Sequence, residues 1–173
     1  SGDVQLRASA GTPVGEWSDM LAPGAQTPTV IMDGDTARIS GDGRTDLTLG
    51  VAQGVEVRVE TRSGDVTGSD LTAAGVTVQT ASGDVQLRLS SAGGQVTVST
   101  ASGDVQVRLS GAPEGVTVST ASGDVSITLP QPTGGDGYLV TTQTASGDVD
   151  AIASDGRRPV TVTTASGDIS VQY

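Results

Sequence analysis

The hexapeptide Thr-Ala-Ser-Gly-Asp-(Val/Ile) occurs five times, starting at Thr80, Thr100, Thr120, Thr144 and Thr164, at intervals of 20, 20, 24 and 20 residues. A looser copy, Thr61-Arg62-Ser63-Gly64-Asp65-Val66, precedes the first by 19 residues, and Ser40-Gly41-Asp42 is a degenerate one. The chain opens on Ser-Gly-Asp-Val-Gln-Leu-Arg, which repeats Ser82 to Arg88 residue for residue. A unit recurring at so short and constant an interval is one supersecondary element, and it buries its apolar face only against copies of itself.

One interval shows what the unit is. Val96-Thr97-Val98-Ser99-Thr100 alternates apolar and polar residues, the pattern of a half-buried strand. Ala101-Ser102-Gly103-Asp104 is turn chemistry, because Gly accepts unusual φ and Ser and Asp bond nearby backbone. Val105 to Ser110 alternates again, and Gly111 to Gly115 closes the coil before Val116 starts the next. The reading is all-β: a single parallel β-solenoid of about seven coils, each of about 20 residues with two main strands. The inward residues of a coil are Val96, Val98, Val105, Val107 and Leu109, too few to hold one coil alone. Stacking at ~4.8 Å adds backbone ladders and makes the valine columns continuous. By alternation the Thr before each Ala-Ser-Gly-Asp corner points inward and bonds backbone there.

The pattern breaks in three places. Residues 10–36 hold Trp17, Met20 and Met32, and read as an irregular insertion or cap within one domain spanning 1–173. Residues 130–137 form a longer loop that should bulge from the rod, and Val66 to Ala74 is a less regular strand with Gly68 inside it.

Composition removes most active sites. There is no Cys, His or Lys, so no disulfide, no thiolate and no imidazole base or ligand. With 20 acidic residues against 9 arginines the net charge is −11, unfavourable for nucleic acid and for anionic membrane surfaces. No apolar run reaches the length of a membrane-spanning helix. The chain starts on Ser1 rather than Met, which reads as a processed mature form or an excised fragment.

Stacking turns each outward position into a column. Asp65, Asp84, Asp104, Asp124, Asp148 and Asp168 form one. Neighbouring carboxylates ~5 Å apart repel by roughly 1 kcal/mol in water, so the column either attracts cations, as a candidate Ca²⁺ ladder, or accepts N–H bonds at the turns. Thr77, Thr97, Thr117, Thr141 and Thr161 form another, flanked by Gln79, Ser99, Ser119, Gln143 and Thr163. That uncharged face is a candidate surface for ordered water (ice) or glycan hydroxyls, or simply a solvated strand face. Arg88 and Arg108, with Gln86 and Gln106, make a short third column, read as a solvated face with local ion pairs.

Ser-Gly-Asp-Val preceded by an alternating Val/Thr strand, from Ser63–Val66 through Ser166–Ile169, resembles the bacterial "putative-adhesin" β-strand-repeat family, a β-helix domain of unknown function. The resemblance covers roughly residues 38–173, with a fragment at 1–9. It implies a β-helical rod that is extracellular or part of a bacterial cell envelope, and it brings no catalytic residues.

The expectation is a non-catalytic structural or adhesive module. Its partner is itself, because the chain starts and ends on strands that invite edge pairing into filaments, or another surface component. The alternative is a ligand-binding solenoid using the Thr or Asp column; no cofactor is expected beyond the candidate Ca²⁺. An enzyme would need clustered carboxylates in a groove, and only Asp33, Asp35 and Asp136, near the long loops, offer them.

Overall fold

A computed structural model of the chain describes residues 4–9, 29–33, 36–41, 47–133, 136–153 and 156–173, and among them there is no helix. The strands form two sheets of eight, close to the expected number of coils. The first runs β14 (Val149–Ala151), β16 (Ile169–Gln172), β12 (Val125–Thr128), β10 (Val105–Leu109), β8 (Val85–Ala92), β6 (Val66–Ala73), β1 (Val4–Ser9), β4 (Leu47–Ala52). The second runs β13 (Tyr138–Gln143), β15 (Arg158–Thr163), β11 (Gly115–Ser122), β9 (Gln95–Ser102), β7 (Gly75–Ser82), β5 (Glu56–Ser63), β3 (Thr36–Gly41), β2 (Thr29–Asp33). All pairings are parallel except β2 with β3.

Alternation decides which side chains the sheets enclose. In β9 and β11 the valines Val96, Val98, Val116 and Val118 are fully buried, as are Val105, Val107, Val125 and Ile127 in β10 and β12. They stack residue upon residue, Val96 on Val76 and on Val116, so each core column is continuous. Gly68 is a packing residue. A Cβ there would press on Leu71 and Leu87, and the bulge between Gly68 and Leu71, with Asp70 at φ 53°, drops Leu71 into the core.

Coils do not stack in chain order throughout. The last one, β15 with β16, lies directly on β11 and β12, in the register Val116–Val160 and Val125–Ile169. The preceding one, β13 with β14, lies outside it, in the register Val140–Val160 and Val149–Ile169. Inward residues explain the exchange. The final coil carries the full apolar set Val160, Val162, Ile169 and Val171, all buried. In coil 138–151 the matching positions are Val140, Thr142, Val149 and Ala151. The polar and small members of that set are least costly at an end that faces water, where Val149 is 46% exposed. Residues 129–137 carry the chain past one layer. Residues 131–133 and 136 are exposed, and Tyr138 is buried with its hydroxyl donating to the Pro130 carbonyl at 3.2 Å. Burial pushes that phenol above its ordinary pKa against the opposing charge of Arg158, which keeps it a donor.

The opposite end is likewise out of order. β1 sits between β6 and β4, with Val4 paired to both Val66 and Leu47, so β4 is displaced one place outward. The sequence marked both terminal strands as open edges. In the structure β1 and β16 are each paired on both sides. Of the expected insertion or cap at 10–36, residues 10–28 and 34–35 lie outside the described residues, and Thr29–Asp33 is a strand of the second sheet.

The layer order can be read by cross-linking, since the chain has no native cysteine. Ser119 and Thr163 are register partners, whereas Gln143 is two layers from Ser119, ~9.6 Å and beyond disulfide reach. A Ser119→Cys/Thr163→Cys variant is expected to oxidise to an intramolecular disulfide, and Ser119→Cys/Gln143→Cys is not, read as gel mobility with and without reductant.

Candidate functional site

The repeated corner is the most elaborate arrangement in the chain. At Thr80, Thr100, Thr120 and Thr164 the side chain is buried and its Oγ1 donates to the carbonyl of the Ser two residues on, at 3.1–3.3 Å. These threonines point inward and bond backbone at the corner, as alternation predicts. Gly then takes φ between 125° and 141° at positions 64, 83, 103, 123, 147 and 167, a region L side chains avoid. Space forbids a side chain as well: a Cβ on Gly103 would land on the carbonyl oxygen of Gly83 in the coil beneath.

Three amides bridge each pair of corners. Gly83 N–H donates to the Ser102 carbonyl and Val85 N–H to the Asp104 carbonyl, both at 2.9 Å. Between them the chain turns, and the third bond uses a side chain: Asp104 N–H donates to Asp84 Oδ1 at 2.9 Å. The series runs Asp84 N–H to Asp65, Asp104 to Asp84, Asp124 to Asp104, Asp168 to Asp124 and Asp148 to Asp168, at 2.8–2.9 Å. The column of Asp84, Asp104, Asp124, Asp148 and Asp168 therefore exists, in the layer order of the fold. Each carboxylate except the last, Asp148, supplies the acceptor for the amide of the next layer. Among the described residues no three acidic side chains converge as a group that could hold a metal ion.

The threonine column is also unbroken. Thr77 pairs with Thr97, Thr97 with Thr117, Thr117 with Thr161 and Thr161 with Thr141. Beside it run Gln79, Ser99, Ser119, Thr163 and Gln143, so ten uncharged positions occupy adjacent columns over five layers. The face ends in charge where Arg58 and Glu60, ion-paired at 2.8 Å, are the register partners of Thr77 and Gln79. Arg88 and Arg108 stack in register on the opposite sheet, both exposed.

Sequence reasoning missed a recess of about 370 Å³ at the end of the stack, lined by Asp124, Asp148, Asp150 and Asp168 over Val125 and Ile169. Its carboxylates come from three layers whose order, Asp124, Asp168, Asp148, no local motif announces. Of the residues considered for an enzyme, the two that are described lie at opposite ends of the second sheet. Asp33 lies in β2 at one end of its sheet, Asp136 precedes β13 at the other and approaches Arg158 at 3.6 Å, and Asp35 is outside the described residues. No helix among the described residues is long and apolar enough to cross a membrane.

The corner predicts an ordered set of losses in urea unfolding. Gly103→Ala is expected to cost roughly 3 kcal/mol from backbone strain and collision. Asp104→Ala, which orphans the Asp124 amide, should cost about 1 kcal/mol, and Asp104→Asn, which keeps an acceptor, under about 0.5 kcal/mol. Equal midpoints for the two Asp104 variants would remove the carboxylate from the ladder.

Comparison with solved structures finds a putative cell adhesion protein from Clostridium sporogenes, with a TM-score of 0.51 and 12% identity over 99% of this chain and 88% of that one. At that identity the likeness is one of fold. Comparison with curated proteins finds no match. The Toastrack DUF4097 family model matches residues 1–172. The chain therefore belongs to the Toastrack DUF4097 family.

Proposed function

We propose that this chain is a non-catalytic structural or adhesive module of a bacterial surface or envelope, and that it associates with further copies of itself end to end. The observation that carries the reading is the rod itself. The second sheet presents in-register columns of uncharged side chains, and the corner carboxylates of Asp65, Asp84, Asp104, Asp124 and Asp168 each accept an amide of the next layer. The similarity in fold to a putative cell adhesion protein supports a surface role.

End-to-end association is supported by the outer edge of β13 and β14. No described strand pairs with it, and Leu139 and Val149 stand about half exposed beside it. Such an edge is a template for another strand. A second reading, a glycan- or ice-binding solenoid, is favoured by the unbroken column Thr77–Thr97–Thr117–Thr161–Thr141.

Sedimentation velocity and negative-stain microscopy at micromolar concentration, with chelator present, test the first reading. Concentration-dependent linear oligomers are expected, and Leu139→Asp/Val149→Asp should return them to monomers. A chain that stays monomeric throughout would sink the association. Thr97→Arg/Thr117→Arg separates the two readings: it spares end-to-end association but abolishes retention on a polysaccharide or ice surface if the threonine face binds a ligand.

A further inference from the structure

The coil that closes the stack differs from the internal layers beneath it. Its strands pair on one side only, with β15 and β16. β14 has three residues and all are exposed, while the corresponding strands of the neighbouring layers are buried at alternate positions. Two inward positions are Thr142 and Ala151, where the layer below has Val162 and Val171. It is tethered by two connections, 129–137 and 152–157, so it can leave the stack without unthreading the final coil. Tyr138, buried and bonded to Pro130, remains as the pivot at its start, with its ring 6.3 Å from that of Tyr173.

We propose that residues 139–153 form a cap that opens as one unit while the rest of the solenoid stays folded. Low local stability needs few buried apolar contacts and few backbone bonds to neighbours, and this segment has fewer of both than any internal coil. Opening uncovers the outer edge of the final coil: Val160, Val162, Ile169 and Val171, with the Asp168 carboxylate released from the Asp148 amide. That edge has the side chains of an internal layer and is a stronger strand template than the edge the closed cap presents. The cap therefore decides which of two ends the rod shows. The inference does not depend on whether copies of the chain associate.

The hydrogen bonds of the final coil make the proposal testable residue by residue. Its Thr164, Gly167 and Ile169 amides donate to Gln143, Ser146 and Asp148 of the cap. Its Ser166 amide donates inward to Ala121, and its carbonyls at Ser166 and Asp168 take the Gly123 and Val125 amides. Native-state hydrogen exchange by NMR should therefore split within one coil. Thr164, Gly167 and Ile169 are expected to exchange at least ~100-fold faster, relative to their intrinsic rates, than Ser166, Gly123 and Val125. A Gln143→Cys/Thr163→Cys disulfide, placed between register partners, should abolish the split, and Thr142→Val should narrow it. Equal protection of the two sets in the native chain, or a split that persists in the oxidised double-cysteine variant, overturns the proposal.

Discussion

The rest of the structure depends on a glycine that touches the peptide below it. At each Ser-Gly-Asp corner the chain reverses between the two sheets, and the glycines stack so closely that a Cβ on one would strike the carbonyl of the next. That closeness brings the following amide within reach of the neighbouring layer's aspartate, and the carboxylate supplies the acceptor. The corner is thereby a third ladder, joining the two sheets along their shared edge. A column of negative charge, unfavourable in itself, persists because each carboxylate except the last has an N–H to hold.

Given the corner, the side chains around it follow. The buried Thr before it ties the turn to its own backbone, and the Val or Ile after it begins the next inward row. With coil spacing fixed, outward residues fall into columns whether or not anything binds them. Column formation alone is thus no sign of a ligand. What distinguishes the threonine face is its lack of charge over five layers.

Much of this was legible in the sequence. Period-two alternation gave the strands, the recurring hexapeptide gave the coil length, and the Thr and Asp columns follow from the spacing. Two things were not. The partner of each bonded aspartate is an amide about 20 residues away, or 44 for Asp124, rather than one in its own turn, and a local motif does not encode that choice. The order of the last two layers was hidden because both carry the same hexapeptide, so the corner cannot tell them apart. The signals were Thr142 and Ala151 at inward positions and the longer interval before Thr144, meaningful only once the cost of a polar residue inside the stack is compared with its cost at the end. The interior placement of β1 had a signal too, in the Ser-Gly-Asp-Val with which the chain opens.

The central claim is that corner aspartates bond layer to layer, in an order that departs from the chain's own. Scalar couplings across hydrogen bonds, recorded on uniformly ¹⁵N,¹³C-labelled protein, read it directly. The account predicts correlations from the Asp168 amide nitrogen to the Asp124 side-chain carboxyl carbon, 44 residues away, and from the Asp148 amide to Asp168. A correlation from the Asp148 amide to Asp124 would show coils stacked in chain order and contradict it, as would correlations only within each turn.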